Sequence, residues 1–207
     1  MEKYVSRRFL IILIAPSGGG KSTIAKHILN EMEDVDYSVS YTTRKPRGAE
    51  KNGIDYFFVS EEKFKKIKDE NGFLESALVH NSYYGTSRTY IEEKMASGKH
   101  IVLDIDVQGA KQIMNSGIDC VTIFILPPNI LELEKRLRKR STDSTEAISL
   151  RLKNAKKEIA EINNFEYLVI NDKLDLAVNA VKDIIKTEEM KISRKKNILN
   201  DFMEEKK

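Results

Sequence analysis

The sequence predicts an α/β fold: a three-layer core around a parallel sheet, with a small, mainly antiparallel insertion and a further helical segment. Three observations predict it. Four short apolar runs, Phe9–Ala15, Ile101–Ile105, Cys120–Leu126 and Tyr167–Ile170, are continuous rather than alternating. That pattern belongs to parallel strands covered on both faces. Helical patterns separate or follow the runs, which argues for a doubly wound core. A loop containing Gly18-Gly19-Gly20 joins the first run to its helix.

Taken in order, the first run feeds the loop and then the helical stretch Ser22–Met32. Residues 37–90 break the alternation. They are rich in Tyr, Ser, Thr and Gly, with strand-like pieces at Tyr37–Tyr41, Tyr56–Val59 and Phe73–Val79. The core pattern resumes over 91–126. Residues 127–163 read as two helices. Asn129 with Glu132 caps the first, and Asp143 with Glu146 the second. Ile148, Leu152, Ala155, Ile159 and Ile162 form the apolar stripe of the second. The last run follows, with a helix marked by Leu174, Val178, Val181 and Ile185. The core is thus 1–36, 91–126 and 159–190, and 191–207 is a tail of mixed charge.

Composition narrows the function classes. The chain has 207 residues, 41% of them apolar, enough for one packed domain with insertions. A net charge of +3 does not point to nucleic acid or an anionic membrane. No segment approaches the ~20 apolar residues of a membrane span. Phe9–Ala15 after Arg7-Arg8 is too short for a secretory leader and runs straight into the loop. Cys120 is the single cysteine, so no internal disulfide forms, and it reads as a small buried hydrophobe. The expected location is the cytoplasm. Monomer and homodimer both stay open.

The loop carries the chemistry. The phosphate-loop pattern is G-x-x-x-x-G-K-[ST]; here it reads Ala15-Pro16-Ser17-Gly18-Gly19-Gly20-Lys21-Ser22, followed by Thr23. An apolar strand before it and a helix after it match what the mechanism requires, so this is a P-loop core. Backbone N–H groups converge on phosphate oxygens at the helix N-terminus. Lys21 reaches the β- and γ-phosphates of a nucleoside triphosphate, and the Ser22 hydroxyl suits Mg²⁺. Alanine at 15 is tolerable only with negative φ. Asp104 ends the second run at the carboxyl edge of the sheet, where ligands gather, and is the acid expected to support Mg²⁺ through water. Asp106 follows at the same edge. A helix cap or turn acid is the competing reading of both.

The insertion suggests what the second substrate is. Arg44 and Arg47 flank a proline turn, an arrangement suited to bidentate capture of a phosphate. Tyr56 and Tyr84 can donate to the same group. Glu75 lies in an apolar stretch, where an acid needs a partner. A purine with an N–H beside an amino group offers one, which selects guanine over adenine.

With those residues on the page, the sequence resembles the guanylate kinase family. Four motifs in order carry the resemblance: Ala15–Ser22, Ser-Tyr-Thr-Thr-Arg…Pro-Arg at 40–47, Leu-Asp-Ile-Asp-Val-Gln-Gly at 103–109, and Arg140-Ser141-Thr142-Asp143-Ser144. The resemblance implies ATP + GMP ⇌ ADP + GDP with Mg²⁺, a GMP-binding region over 37–90 and a lid over 127–158. It implies that Ser40, Glu75, Thr86 and Asp106 meet guanine. Arg44, Arg47, Tyr56 and Tyr84 then hold the GMP phosphate, and Arg140 and Arg151 meet the transferring phosphate. Asn171 comes near the adenine end of ATP. Ala15 and Ser141 depart from the family pattern, each replacing a glycine. Deoxy-GMP acceptance stays open.

Phosphoryl transfer needs positioning and opposing charge, and no general base. Lys21, Arg44, Arg47, Arg140, Arg151 and Mg²⁺ supply that charge in this reading. Arg138 reads as a solvated helix residue, and Arg136 is open between the two roles. Two rivals remain: a kinase for another nucleoside monophosphate, and a non-catalytic guanylate-kinase-like binding domain.

Overall fold

The structure, a computed structural model, describes residues 6–79, 81–140 and 145–195, the side chains of residues 140 and 145–147 excepted. The elements run β1 (Leu10–Ile14), α1 (Lys21–Glu31), β2 (Val35–Tyr37), β3 (Tyr41–Thr42), β4 (Phe57–Phe58), α2 (Glu61–Asp69), β5 (Phe73–Val79) and β6 (Ser82–Ser87). They continue α3 (Arg88–Ala96), β7 (His100–Asp104), α4 (Val107–Asn115), β8 (Cys120–Leu126), α5 (Ile130–Arg140), α6 (Thr145–Ile159), β9 (Tyr167–Ile170) and α7 (Leu174–Met190).

Five strands form the parallel sheet, in the order β2-β7-β1-β8-β9. Central β1 explains its own unbroken apolar run, because all five residues are fully buried. Ile11 and Leu13 pack with α1 and α7 on one face; Leu10, Ile12 and Ile14 pack with α3 and α4 on the other. The period of two in a strand splits the run between the layers. Burying each such side chain contributes about 1.5–3 kcal/mol.

The insertion forms a second sheet, β4-β3-β6-β5. It is antiparallel except for the β3–β4 pair. The expected strand Tyr37–Tyr41 divides. Tyr37 ends β2 in the core sheet, and Tyr41 begins β3 in the second. Between them, the Ser38 N–H donates to Val102 O at 3.0 Å, and Ser40 O accepts from the Phe57 N–H at 2.9 Å. Each sheet therefore claims one end of the crossing. Two helices flank this sheet in sequence without an apolar stripe to announce them. In α2 only Phe64 is buried, and its start is fixed by Ser60 Oγ accepting from the Lys63 N–H. Helix α3 starts directly after β6, capped by Ser87.

Before α5, Asn129 Oδ1 accepts from the Glu132 N–H at 2.8 Å, the expected cap. Ala155 packs against Leu133 and Leu137, which joins α6 to α5. The expected Asp143 cap and Ser141 lie outside the described residues. So does the tail from 196 onward, but its first residues are fastened. Arg194 pairs with Asp119 at 2.8 Å and with Glu188, and its guanidinium lies 4.3 Å from the Phe9 ring centroid. Cys120 is half-buried rather than buried, and burial pushes its thiol up to about 11. Among the described residues no helix is long and apolar enough to cross a membrane.

Candidate active site

The chain leaves β1 at Ile14, turns through residues 15–20 and enters α1 at Lys21. Gly20 sits at φ 99°, and a Cβ there would lie 2.1 Å from Asn171 Nδ2. Only glycine satisfies both conditions. Asn171 Nδ2 donates to Gly19 O at 3.0 Å, and its N–H donates to Leu126 O at 2.6 Å. This buried side chain therefore ties the loop to the sheet, a job the sequence did not suggest. It also lines a cleft of about 460 Å³ with Gly18, Gly20, Thr23 and Arg136. Among the described residues only Asn71 and Asn81 have positive φ without being glycine, so Ala15 fits. Its methyl fills space beside Gly19, where a Cβ would approach it to 2.8 Å.

Asp104 reaches this loop through strand register. It ends β7 opposite Leu13 of β1. Lys21 Nζ lies 2.7 Å from Asp104 Oδ1 and donates to Ile105 O at 2.7 Å. Ser22 Oγ donates to Asp104 Oδ2 at 2.8 Å. A hydroxyl and a carboxylate side by side are the hard oxygen donors that a small divalent cation takes, so this pair fits Mg²⁺.

A second cleft, of about 420 Å³, opens between the two sheets. Ser22 and Asp104 line one side; Ser40, Tyr56, Glu75 and Tyr84 line others, with Asp106 at the edge. A β-bulge places Glu75. Phe73 pairs with Ser87 but Glu75 pairs with Thr86, so Leu74 is the extra residue. The bulge re-aims the strand. As a result three consecutive residues, Phe73, Leu74 and Glu75, are buried. Thr86 Oγ1 donates to Glu75 Oε1 at 2.7 Å. Asp106 caps α4 by accepting from the Gly109 N–H at 2.8 Å, as the competing reading of this acid expects, and it also lines the cleft.

Burial raises the Glu75 carboxyl to about 7, against a hydrogen bond from Thr86 that lowers it. The ordinary value is 4.5. The folded state therefore holds a proton that the unfolded state has lost across this window. The contribution to stability is complete below the lower value and disappears as pH rises through about 7. The melting temperature should fall between pH 5 and pH 7.5, and Glu75→Gln should flatten that part of the profile. Equal slopes in differential scanning calorimetry would refute it.

Arg44 is held by an acid that the motif reading passed over. Its Nη1 and Nη2 donate to the two oxygens of Glu50 at 2.9 Å each, and its Nε donates to Tyr84 Oη at 3.2 Å. The Glu50 carboxylate, then Tyr84, raises the guanidinium pKa further. Tyr56 stands below, its ring centroid 5.3 Å from the Arg44 guanidinium and 5.9 Å from the Tyr84 ring. Glu50 also accepts from the Arg47 N–H at 2.7 Å, closing the turn, while the Arg47 side chain is exposed. Nothing in the pattern distinguishes Glu50 from any loop acid.

The remaining arginines sit on α5 and α6. Arg136 donates to Asn171 O at 3.0 Å and to Glu132 at 2.9 Å, which places it on the wall of the loop-side cleft. Arg138 pairs with Glu134 on the helix surface. Arg140 is the last residue of α5, but its side chain lies outside the described residues. Arg151 lies on α6. The structure thus gathers Ser22, Ser40, Tyr56, Glu75, Tyr84, Asp104 and Asp106 around one cleft and Gly18, Gly20, Thr23 and Asn171 around the other.

Comparison with known proteins agrees with this geometry. A family model described as guanylate kinase matches residues 7–188. The chain is 41% identical over 196 residues to the guanylate kinase of Caldanaerobacter subterraneus subsp. tengcongensis, covering 95% of each. It is 42% identical over 189 residues to that of Rickettsia prowazekii, covering 91% of this chain and 96% of the relative. The crystal structure of guanylate kinase from Anaplasma phagocytophilum superposes with a TM-score of 0.77 at 31% identity, over 95% of this chain and 94% of that one. The loop after β1, the two-sheet cleft and helices α5 and α6 all fall inside the matched span, and the chain belongs to the guanylate kinase family.

Proposed function

We propose that this kinase moves the γ-phosphoryl group of ATP to GMP across the phosphate loop, with Lys21 between donor and acceptor. One observation carries the reading: the loop separates two clefts. Gly18, Gly20 and Thr23 face one, Ser22 and Asp104 face the other, and Lys21, between Gly20 and Ser22 in the chain, is bonded to Asp104 and Ile105 of the second.

The cleft on the loop side takes ATP, with Ala15–Thr23 around its phosphates and Asn171 and Arg136 toward the base. The cleft between the sheets takes GMP. Glu75 accepts from the guanine N1–H and 2-amino group, steadied by Thr86, with Ser40 and Asp106 completing the base site. Arg44, Arg47, Tyr56 and Tyr84 hold the GMP phosphate. The fork of Arg44 grips the Glu50 carboxylate in the geometry that suits a phosphate, so exchanging one for the other needs little rearrangement. Ser22 and Asp104 would hold Mg²⁺, which supplies charge neutralisation and orients the donor phosphates. The GMP phosphate is already an anionic nucleophile, so the chain's task is to offset repulsion between two anions. Lys21, Arg140 and Arg151 do so as residues 127–158 close and exclude water.

A nucleotide panel tests the reading. ADP release should be fastest with GMP among the nucleoside monophosphates; a faster AMP reaction would overturn it. In the same panel Arg44→Ala should raise the KM for GMP about tenfold or more, as expected for a lost charge-assisted fork. An unchanged KM would remove Arg44 from the phosphate site.

A further inference from the structure

Ser38 lies on the crossing between the two sheets and is 3% exposed. Its Oγ is buried and has no hydrogen-bond partner among the described residues. The residue nonetheless lines the cleft between the sheets, with Ser40, Glu75 and Asp106. A buried hydroxyl left unpaired is unfavourable, and folded chains keep few of them. Ser40 is in a different position: it is only half-buried, so water satisfies it. Strand geometry sets the direction of the Ser38 side chain. Its N–H donates to Val102 O, which carries the β2–β7 pairing one residue beyond Tyr37. Tyr37 packs with the α1 and α7 layer, while Asp36 reaches Lys94 of α3 at 2.6 Å. The period of two turns Ser38 to the side of Asp36, the layer of α3 and α4. Leu74 packs into that same layer and brings Glu75 with it. Ser38 therefore faces the Glu75 end of the cleft rather than the Arg44 end.

We propose that Ser38 is a further base-binding residue: its hydroxyl donates to the O6 keto oxygen of guanine. The proposal rests on the reading of this cleft as the GMP site. Along one edge guanine presents two donors, N1–H and the 2-amino group, and one acceptor, O6. Ionised carboxylates only accept, so Glu75 and Asp106 take the donors. The Thr86 hydroxyl has its proton committed to Glu75 Oε1 at 2.7 Å. O6 still needs a donor, and Ser38 holds a proton with no acceptor. A hydroxyl also accepts, so rejection of adenine stays with Glu75; Ser38 contributes affinity for the 6-keto group.

Calorimetric titration of GMP, IMP and 6-thio-GMP into the wild type and Ser38→Ala tests this. IMP keeps O6 and lacks the 2-amino group. 6-Thio-GMP keeps both donors and carries sulfur, a weak acceptor, in place of O6. The variant should bind GMP and IMP about tenfold more weakly, the loss expected when one side of a buried hydrogen bond is deleted. It should bind 6-thio-GMP as the wild type does, and ATP likewise. Without nucleotide, its melting temperature should equal or exceed that of the wild type, because alanine removes an unpaired polar atom. A hydroxyl that merely holds a water or braces the fold would instead weaken all three nucleotides alike or lower the melting temperature. Either of those results, or an unchanged GMP affinity, would overturn the proposal while leaving the GMP site in place. A wild-type protein that binds no GMP would overturn the acceptor-site reading itself.

Discussion

Replacing Lys21 with methionine should lower kcat/KM by about a hundred- to a thousandfold, the loss seen when one preorganised charge stabiliser is removed. Methionine keeps the length and apolar stem and removes only the charge. In the structure that charge is 2.7 Å from Asp104 Oδ1 and 2.7 Å from Ile105 O, two residues that line the cleft between the sheets. No other described cation touches Asp104, so the variant also leaves this carboxylate without its ion pair. Rate should therefore suffer more than ATP affinity. Steady-state kinetics with calorimetric ATP binding separates the two. Activity within tenfold of wild type would exclude Lys21 from the reaction.

Glu75→Gln should cost GMP turnover on the order of a thousandfold, since a site built for a hydrogen-bonding pattern punishes its loss heavily. The geometry makes the amide worse than a neutral substitute. Thr86 Oγ1 donates to Glu75 Oε1, so the amide oxygen will take that bond and turn the NH₂ toward the base. Guanine N1–H and its 2-amino group are donors too, and donor then faces donor. The substitution leaves ATP affinity unchanged, because Glu75 lies in the other cleft. Comparable kcat/KM for GMP in wild type and variant would refute the assignment.

The phosphate loop and four core strands were legible because their physics is local. A strand buried on both faces must be apolar throughout, as β1 is, and a loop that receives phosphates must be rich in glycine. Strand β2 was not legible as part of that sheet. Val35-Asp36-Tyr37 is short, and Asp36 spends its charge on Lys94 at 2.6 Å. Helix α2 hides because Phe64 is its only buried residue. At the site, Glu75 was visible as an acid in an apolar stretch, although the bulge at Leu74 that buries it was not. Asn171 as a loop tie stayed hidden because its partners Gly19 and Leu126 lie across folded space, and a single sequence carries no mark of such pairs. Glu50 stayed hidden although Arg44 and Arg47 are its neighbours in sequence, because an acid in a polar turn carries no mark of which cation it will hold.

The crossing at Ser38–Ser40 has a mechanical meaning. Core and insertion are joined there by three residues, and on the return by the single step from β6 into α3 at Ser87. Leu74 of β5 packs into the core's apolar cluster, and Gln112 of α4 accepts from the Ser76 N–H at 3.1 Å and donates to Ser76 O at 3.3 Å, so packing braces the second sheet together with these short tethers. Ser40 sits on the crossing and also lines the cleft between the sheets. One residue is thus shared by the joint and the cleft wall.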